Sequence, residues 1–142
     1  MTGQVATAET EIDASPEEVW KALTDPELIA RYMFGSRVET DWQVGSPILW
    51  KGEYEGESYE DKGEILAIEP EHRLDVTHYS PLGGAEDLPE NYHTLSYVLE
   101  ADGPSTRLSL SQDNNGSEEE AQHSQAMWEQ VLDGLKQVAE ES

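Results

Sequence analysis

A strand that runs straight into a capped helix at one end of the chain, and a helix of more than twenty residues with one apolar face at the other, leave few architectures open. Residues 5–14, Val-Ala-Thr-Ala-Glu-Thr-Glu-Ile-Asp-Ala, alternate. Ala6, Ala8, Thr10 and Ile12 fall on one face, and Thr7, Glu9, Glu11 and Asp13 on the other, which is the period of a strand with one wet side. Ser15-Pro-Glu-Glu18 then reads as a helix start. Ser15 caps, Pro16 stands where a missing N–H costs nothing, and Glu18 completes a capping box. The helix presents Val19, Trp20 and Leu23 to a sheet. Near the far end Ser117 caps a second helix with Glu118, Glu119 and Glu120 in its first turn, where carboxylates meet the helix dipole favourably. Gln125, Trp128, Leu132, Leu135 and Val138, widened by Met127 and Val131, recur at steps of three and four residues. A helix so long and so one-sided must lie across a sheet.

Between these ends the pattern supplies the sheet. Asp25-Pro26-Glu27 repeats the cap-and-proline signal and opens a short helix to about Arg31. Residues 36–42 alternate, with Val38, Thr40 and Trp42 together. Val44-Gly45-Ser46-Pro47 has turn chemistry, after which Ile48, Trp50 and Gly52 alternate with Leu49, Lys51 and Glu53. Glu55-Gly56-Glu57 is a tight turn, residues 59–69 form a long strand closed by Pro70, and residues 73–80 form another. Residues 81–90 make a connection longer than a hairpin needs and read as a flap. Residues 92–100 and 105–112 are strands joined by Asp102-Gly103-Pro104, and Asp113-Asn-Asn-Gly116 ends the sheet. The order is strand, two helices, about six strands, long helix: an α+β chain.

Composition narrows function. The 142 residues suffice for one domain with its own core. The absence of cysteine excludes disulfides, thiol catalysis and thiolate metal sites. No apolar run approaches bilayer length, and the first residues carry neither a basic nor a hydrophobic segment, so a cytoplasmic protein is expected. Asp and Glu number 31 against eight Lys and Arg, a net charge of −23 that repels nucleic acid and anionic membranes alike. An acidic skin with only four lysines fits adaptation to high salt, where counterions screen the self-repulsion, and the plainer alternative is an acidic bacterial protein without that adaptation.

Four segments in order carry a resemblance. Ile12-Asp-Ala-Ser-Pro-Glu-Glu-Val-Trp-Lys-Ala-Leu-Thr-Asp-Pro26 resembles the opening of the START-like, or Bet v 1-like (SRPBCC), superfamily, and more narrowly of bacterial relatives of the activator of the heat-shock-protein-90 ATPase. Gly63-Glu-Ile-Leu-Ala-Ile-Glu-Pro-Glu-His-Arg-Leu74, Ser105-Thr-Arg-Leu-Ser-Leu-Ser-Gln112 and Met127-Trp-Glu-Gln-Val-Leu-Asp-Gly-Leu135 are similar to that family's later strands and final helix. The chain departs from the family pattern at Tyr32-Met33, where a tryptophan is common, at Gly45-Ser46, where glycines are often paired, and near Gln112, where a histidine is frequent. The resemblance implies a helix-grip fold over residues 1–142. A curved antiparallel sheet of about six or seven strands wraps the C-terminal helix, two short helices follow the first strand, and a cavity lies between sheet and helix. The fold serves carriers, cyclases and co-chaperones, so it does not fix function.

Alternation proposes a cavity wall of Trp50, Tyr54, His78, Tyr79, Tyr92, Leu108, Leu110 and Gln112, facing Met127, Trp128, Val131 and Leu135. Tyr54, His78, Tyr79, Tyr92 and Gln112 would orient a ligand by hydrogen bonds. The competing reading is a filled core. His78 and His93 flank the long connection and could meet across a hairpin, but no third ligand has metal spacing, and His72 and His123 read as surface residues. Ser80, Ser96, Ser109 and Ser111 lack a nucleophile elbow, and Leu82-Gly-Gly-Ala85 lacks the helix and lysine of a phosphate loop. No catalytic constellation, metal site or cofactor site stands out. The leading expectation is a binding protein for a small lipophilic ligand, monomeric or weakly dimeric. The second is a co-chaperone-like module that engages a chaperone protein, although an activator of that kind would be expected to carry a second domain. The third is a cyclase- or hydrolase-type enzyme using the same cavity, which would need a polar dyad inside it.

Overall fold

The computed structural model of the protein describes residues 3–33, 35–54, 56–80 and 86–141, without the side chains of Tyr54 and Pro89. Strand β1 (Gln4–Ile12) is followed by helices α1 (Pro16–Thr24) and α2 (Pro26–Tyr32). Six more strands come next: β2 (Arg37–Glu39), β3 (Pro47–Tyr54), β4 (Glu57–Glu69), β5 (Arg73–His78), β6 (His93–Asp102) and β7 (Ser105–Asn115). Helix α3 (Glu118–Glu140) closes the chain. The seven strands form one antiparallel sheet in the order β1-β7-β6-β5-β4-β3-β2, so the first strand pairs with the last and the rest is a meander.

The caps act as the sequence implies. Ser15 accepts from the Glu18 N–H, Asp25 from the Glu27 N–H at 3.0 Å, and Ser117 from the Glu120 N–H at 3.1 Å. The end of α3 is tied to the end of β1: Lys136 Nζ donates to the Glu11 carbonyl (2.8 Å), and the Asp13 N–H donates to Glu140 (2.8 Å). Those bonds, with the burial of Val131, Leu132, Leu135, Val138 and Ala139, seat the C-terminal part of α3 on β1 beside α1 and α2.

Strand β4 joins the two halves of the sheet. Its residues 57–64 pair with β3 and its residues 65–69 with β5, while Lys62 also bridges to Tyr79 just beyond β5 and the β5 register shifts between Ile65 and Ala67. Gly63 sits at the changeover. A Cβ built there would lie 1.8 Å from the Thr77 carbonyl oxygen, so only glycine lets the two backbones come this close.

Three expectations need correction. The alternation of residues 36–42 yields only the short β2, because Trp42 takes a left-handed backbone (φ +59°) and turns the chain away from the sheet. The sheet runs past Gln112 to Asn115, because side chains close its end: Asp113 Oδ1 accepts from the Thr94 N–H (2.6 Å), and Asn114 Nδ2 donates to the carbonyls of Glu90 (2.7 Å) and Tyr92 (3.0 Å). On α3, Gln125 is exposed and Met127 is 40% exposed, while Ala121 and Ala139 complete the buried stripe. Of the expected flap, residues 81–85 lie outside the described residues, and Pro89–Asn91 is a single 3₁₀ turn.

Candidate functional site

The space between sheet and helix is filled at one end and open at the other. Beneath α1 and α2, Leu23, Ile29 and Tyr32 pack onto Val38, Leu74 and Val76, leaving a void of only about 30 Å³. Tyr32 anchors this plug by donating its hydroxyl to the Ala22 carbonyl at 2.8 Å, and burial raises its phenol well above the ordinary range. Further along, between the N-terminal half of α3 and strands β3–β7, lies a cavity of about 560 Å³. That volume falls within the few hundred to a thousand Å³ typical of small-molecule sites.

Register explains which side chains reach the cavity. Trp50 on β3 is buried and points inward, and its partner across the β3–β4 hairpin is Asp61, so Asp61 faces the same way. His78 on β5 pairs directly with His93 on β6, putting both on the inner face with Leu95 and Tyr97. There His78 Nε2 lies 3.0 Å from Asp61 Oδ2, and the edge of its ring meets Trp50 with centroids 5.0 Å apart. Both members of this pair are largely buried, at 19% and 15% side-chain exposure. The remaining polar atoms, Asp61 Oδ1 and His78 Nδ1, are buried without a hydrogen-bond partner, which costs each about 1–3 kcal/mol. His93 is turned to another task, with Nδ1 2.8 Å from the Asp113 carbonyl.

Trp128 and Gln112 brace the opposite wall. The buried indole Nε1 donates to Gln112 Oε1 at 2.6 Å, fixing helix to strand inside the cavity. Met127 and Val131 continue the helical wall. Glu53 and Tyr59 stand at the sheet side, with the Tyr59 hydroxyl sharing a 2.5 Å hydrogen bond with Ser36 Oγ. Burial pushes the Tyr97 hydroxyl upward, so it stays a neutral donor in the wall.

Of the residues singled out from the sequence, Trp50, His78, Gln112, Met127, Trp128 and Val131 line the cavity. Leu108, Leu110 and Leu135 do not. They are fully buried where α3 sits on β1 and β7, as packed core. Tyr79 and Tyr92 also lie elsewhere, stacked on each other at 5.2 Å on the sheet face away from His78. Lys62 pairs with the Asp87 carboxylate and, together with the Tyr92 hydroxyl that donates to it at 2.6 Å, holds Asp87 below its ordinary range, while that bond to Asp87 holds the Tyr92 phenol above its own. The Tyr54 side chain lies outside the described residues. Sequence reasoning missed Asp61, Glu53, Tyr59, Leu95 and Tyr97. Among the described residues no three of His, Asp and Glu are gathered as a metal would require, and no helix is long and apolar enough to cross a membrane.

Residues 13–140 match the family described as Activator of Hsp90 ATPase homolog 1-like protein. The chain is similar to protein ChR145 from Cytophaga hutchinsonii, with 46% identity over 99% of this chain and 97% of that one, and a TM-score of 0.86. It shares its fold with protein MLL2253 from Mesorhizobium loti (22% identity, 98% of each chain, TM-score 0.78). It also shares it with the Aha1 dimer from Colwellia psychrerythraea (22% identity, 96% of each chain, TM-score 0.73). No curated protein matches the chain.

Proposed function

We propose, for a chain that belongs to the Activator of Hsp90 ATPase homolog 1-like family, that its cavity holds a small, mainly apolar molecule. The observation that carries this reading is the 560 Å³ space beside a core closed elsewhere to about 30 Å³. Protein interiors are close-packed, so an opening of that size beside tight packing is a feature of the fold's use. Its walls suit such a guest. Trp50, Leu95, Tyr97, Met127, Trp128 and Val131 supply apolar area, and the Asp61–His78 pair supplies a polar end. Burying a drug-sized apolar ligand there would contribute about 25 cal/mol per Å² of surface removed from water, before the cost of immobilisation.

The test is uptake of an environment-sensitive neutral dye such as phenylnaphthylamine. Saturable enhancement is expected for the native protein, with a severalfold loss of affinity in Met127→Trp, which places a large side chain at the helical wall. Enhancement that is absent, or indifferent to Met127→Trp, would overturn the reading. A second reading, engagement of a heat-shock-protein-90 homologue, is favoured by the family's description. Co-purification with such a homologue, insensitive to Met127→Trp, would support it over the first. A high-salt working environment is proposed on the acidity of the chain, and a cytoplasmic location is proposed with it.

A further inference from the structure

The polar end of the cavity is acidic. Asp61 lines it deep in the wall beside His78, while Glu53, exposed and out of phase with the inward-facing Trp50, stands at its rim. With a neutral His78 the Asp61 carboxylate is left in excess. All eight Lys and Arg fall among the described residues, and none lines this cavity. Arg37 and Lys51 line a neighbouring depression that shares Glu53 and Tyr59, and Lys51 is held there by Glu39 at 2.6 Å and Glu60 at 3.8 Å. Aromatic rings make up much of the rest of the wall: Trp50, Tyr59, Tyr97 and Trp128. Asp61 Oδ1 is an acceptor with no donor, since the carboxylate's other oxygen takes the His78 bond.

A carboxylate guest, such as a fatty acid, would find no lysine or arginine in this cavity and would meet the Asp61 carboxylate at its polar end. A cation would find a carboxylate short of a donor and π faces around it, the two features that hold ammonium groups in low-dielectric sites. We infer that the ligand is a lipophilic amine, its ammonium directed to Asp61 and its apolar body against Trp50, Tyr97 and Trp128. This rests on the binding reading above and names the chemical class that the same cavity takes.

The experiment measures, by calorimetry at one fixed salt concentration, the binding of three ligands with a common skeleton: 4-phenylbutylamine, 4-phenylbutanol and 4-phenylbutyrate. The amine is expected to bind tightest and the carboxylate weakest. Because the field of the whole chain also favours cations, the decisive comparison is between variants. Asp61→Asn should weaken the amine roughly tenfold to a hundredfold, the range for losing a charge-assisted hydrogen bond. The same change should leave the alcohol within about threefold, which also reports that the cavity is still folded. The exposed and distant Glu100→Gln should leave the amine unchanged. Equal affinities for the three ligands, a preference for the carboxylate, or an amine affinity indifferent to Asp61→Asn would overturn the inference while leaving a binding cavity. Failure of all three to bind would overturn the binding reading with it.

Discussion

Single side chains decide whether the cavity stays open and straight-walled. Gln112 is the clearest case, because its carbonyl is the acceptor for the Trp128 indole across the cavity wall. Gln112→Leu leaves that N–H buried and unpaired and should destabilise the fold by about 2 kcal/mol in urea denaturation. Adding Trp128→Phe should then cost less than it does alone, since the orphaned donor leaves with the indole. Tyr32 offers a test by pH. Its folded phenol ionises well above the unfolded value because it is buried, with the nearby Tyr97 adding to the effect. The folded state therefore holds its proton where the unfolded chain gives it up, so this stabilisation is complete below about pH 10 and is lost as pH rises beyond it. Tyr32→Phe should flatten the alkaline limb of a stability-versus-pH curve. An unchanged limb would assign alkaline unfolding to other groups.

At the scale of elements, β4 and β5 approach so closely at Gly63 that no side chain fits between them. Gly63→Ala would force its methyl against the Thr77 backbone, and about 2 kcal/mol of destabilisation, in the range of overpacked sites, is expected in thermal or urea unfolding. Much of this level was legible in the sequence. Caps at Ser15, Asp25 and Ser117, the alternation of β1 and β3, and the stripe of α3 mark real elements. Asp61 was legible too, though missed. Tyr54 opposite Glu57 in a tight hairpin puts Trp50 opposite Asp61 by counting back along both strands. It was lost among 31 carboxylates because composition hid what register would have singled out. The facing of Tyr79 and Tyr92 was less accessible. They flank a long connection, so no short turn fixes the pairing, and a one-residue shift sends every side chain to the other face. Trp42 misled for another reason: its place in an alternating run carries no sign of the positive φ it adopts.

Across the whole molecule, two properties stand out: an open half-core and an unbalanced charge. The choice between cavity and filled core was not available from pattern, because Leu108, Leu110 and Leu135 have the same spacing and chemistry as Trp128 and Val131. Only the placement of α1 and α2 over one end decides which residues pack and which line space. The charge is similarly global. Arg31, Lys51, Lys62, Arg73 and Lys136 are paired with carboxylates, and with all eight cations counted an excess of 23 negative charges remains. Such exposed pairs contribute little each, and screening by salt must do the rest. The melting temperature should rise between low and molar potassium chloride, by about 3 °C for each kcal/mol of repulsion relieved in a domain of this size. A flat or falling response would refute adaptation to salt. The binding cavity itself is tested most directly by an amide-resolved NMR titration in high salt against a panel of lipophilic amines, alcohols and acids. Saturable shifts gathered on residues 127–131 of α3 and the inward positions of β3 to β7 are predicted, strongest for amines; shifts confined to the outer face of the sheet, or none with any compound, would contradict the account.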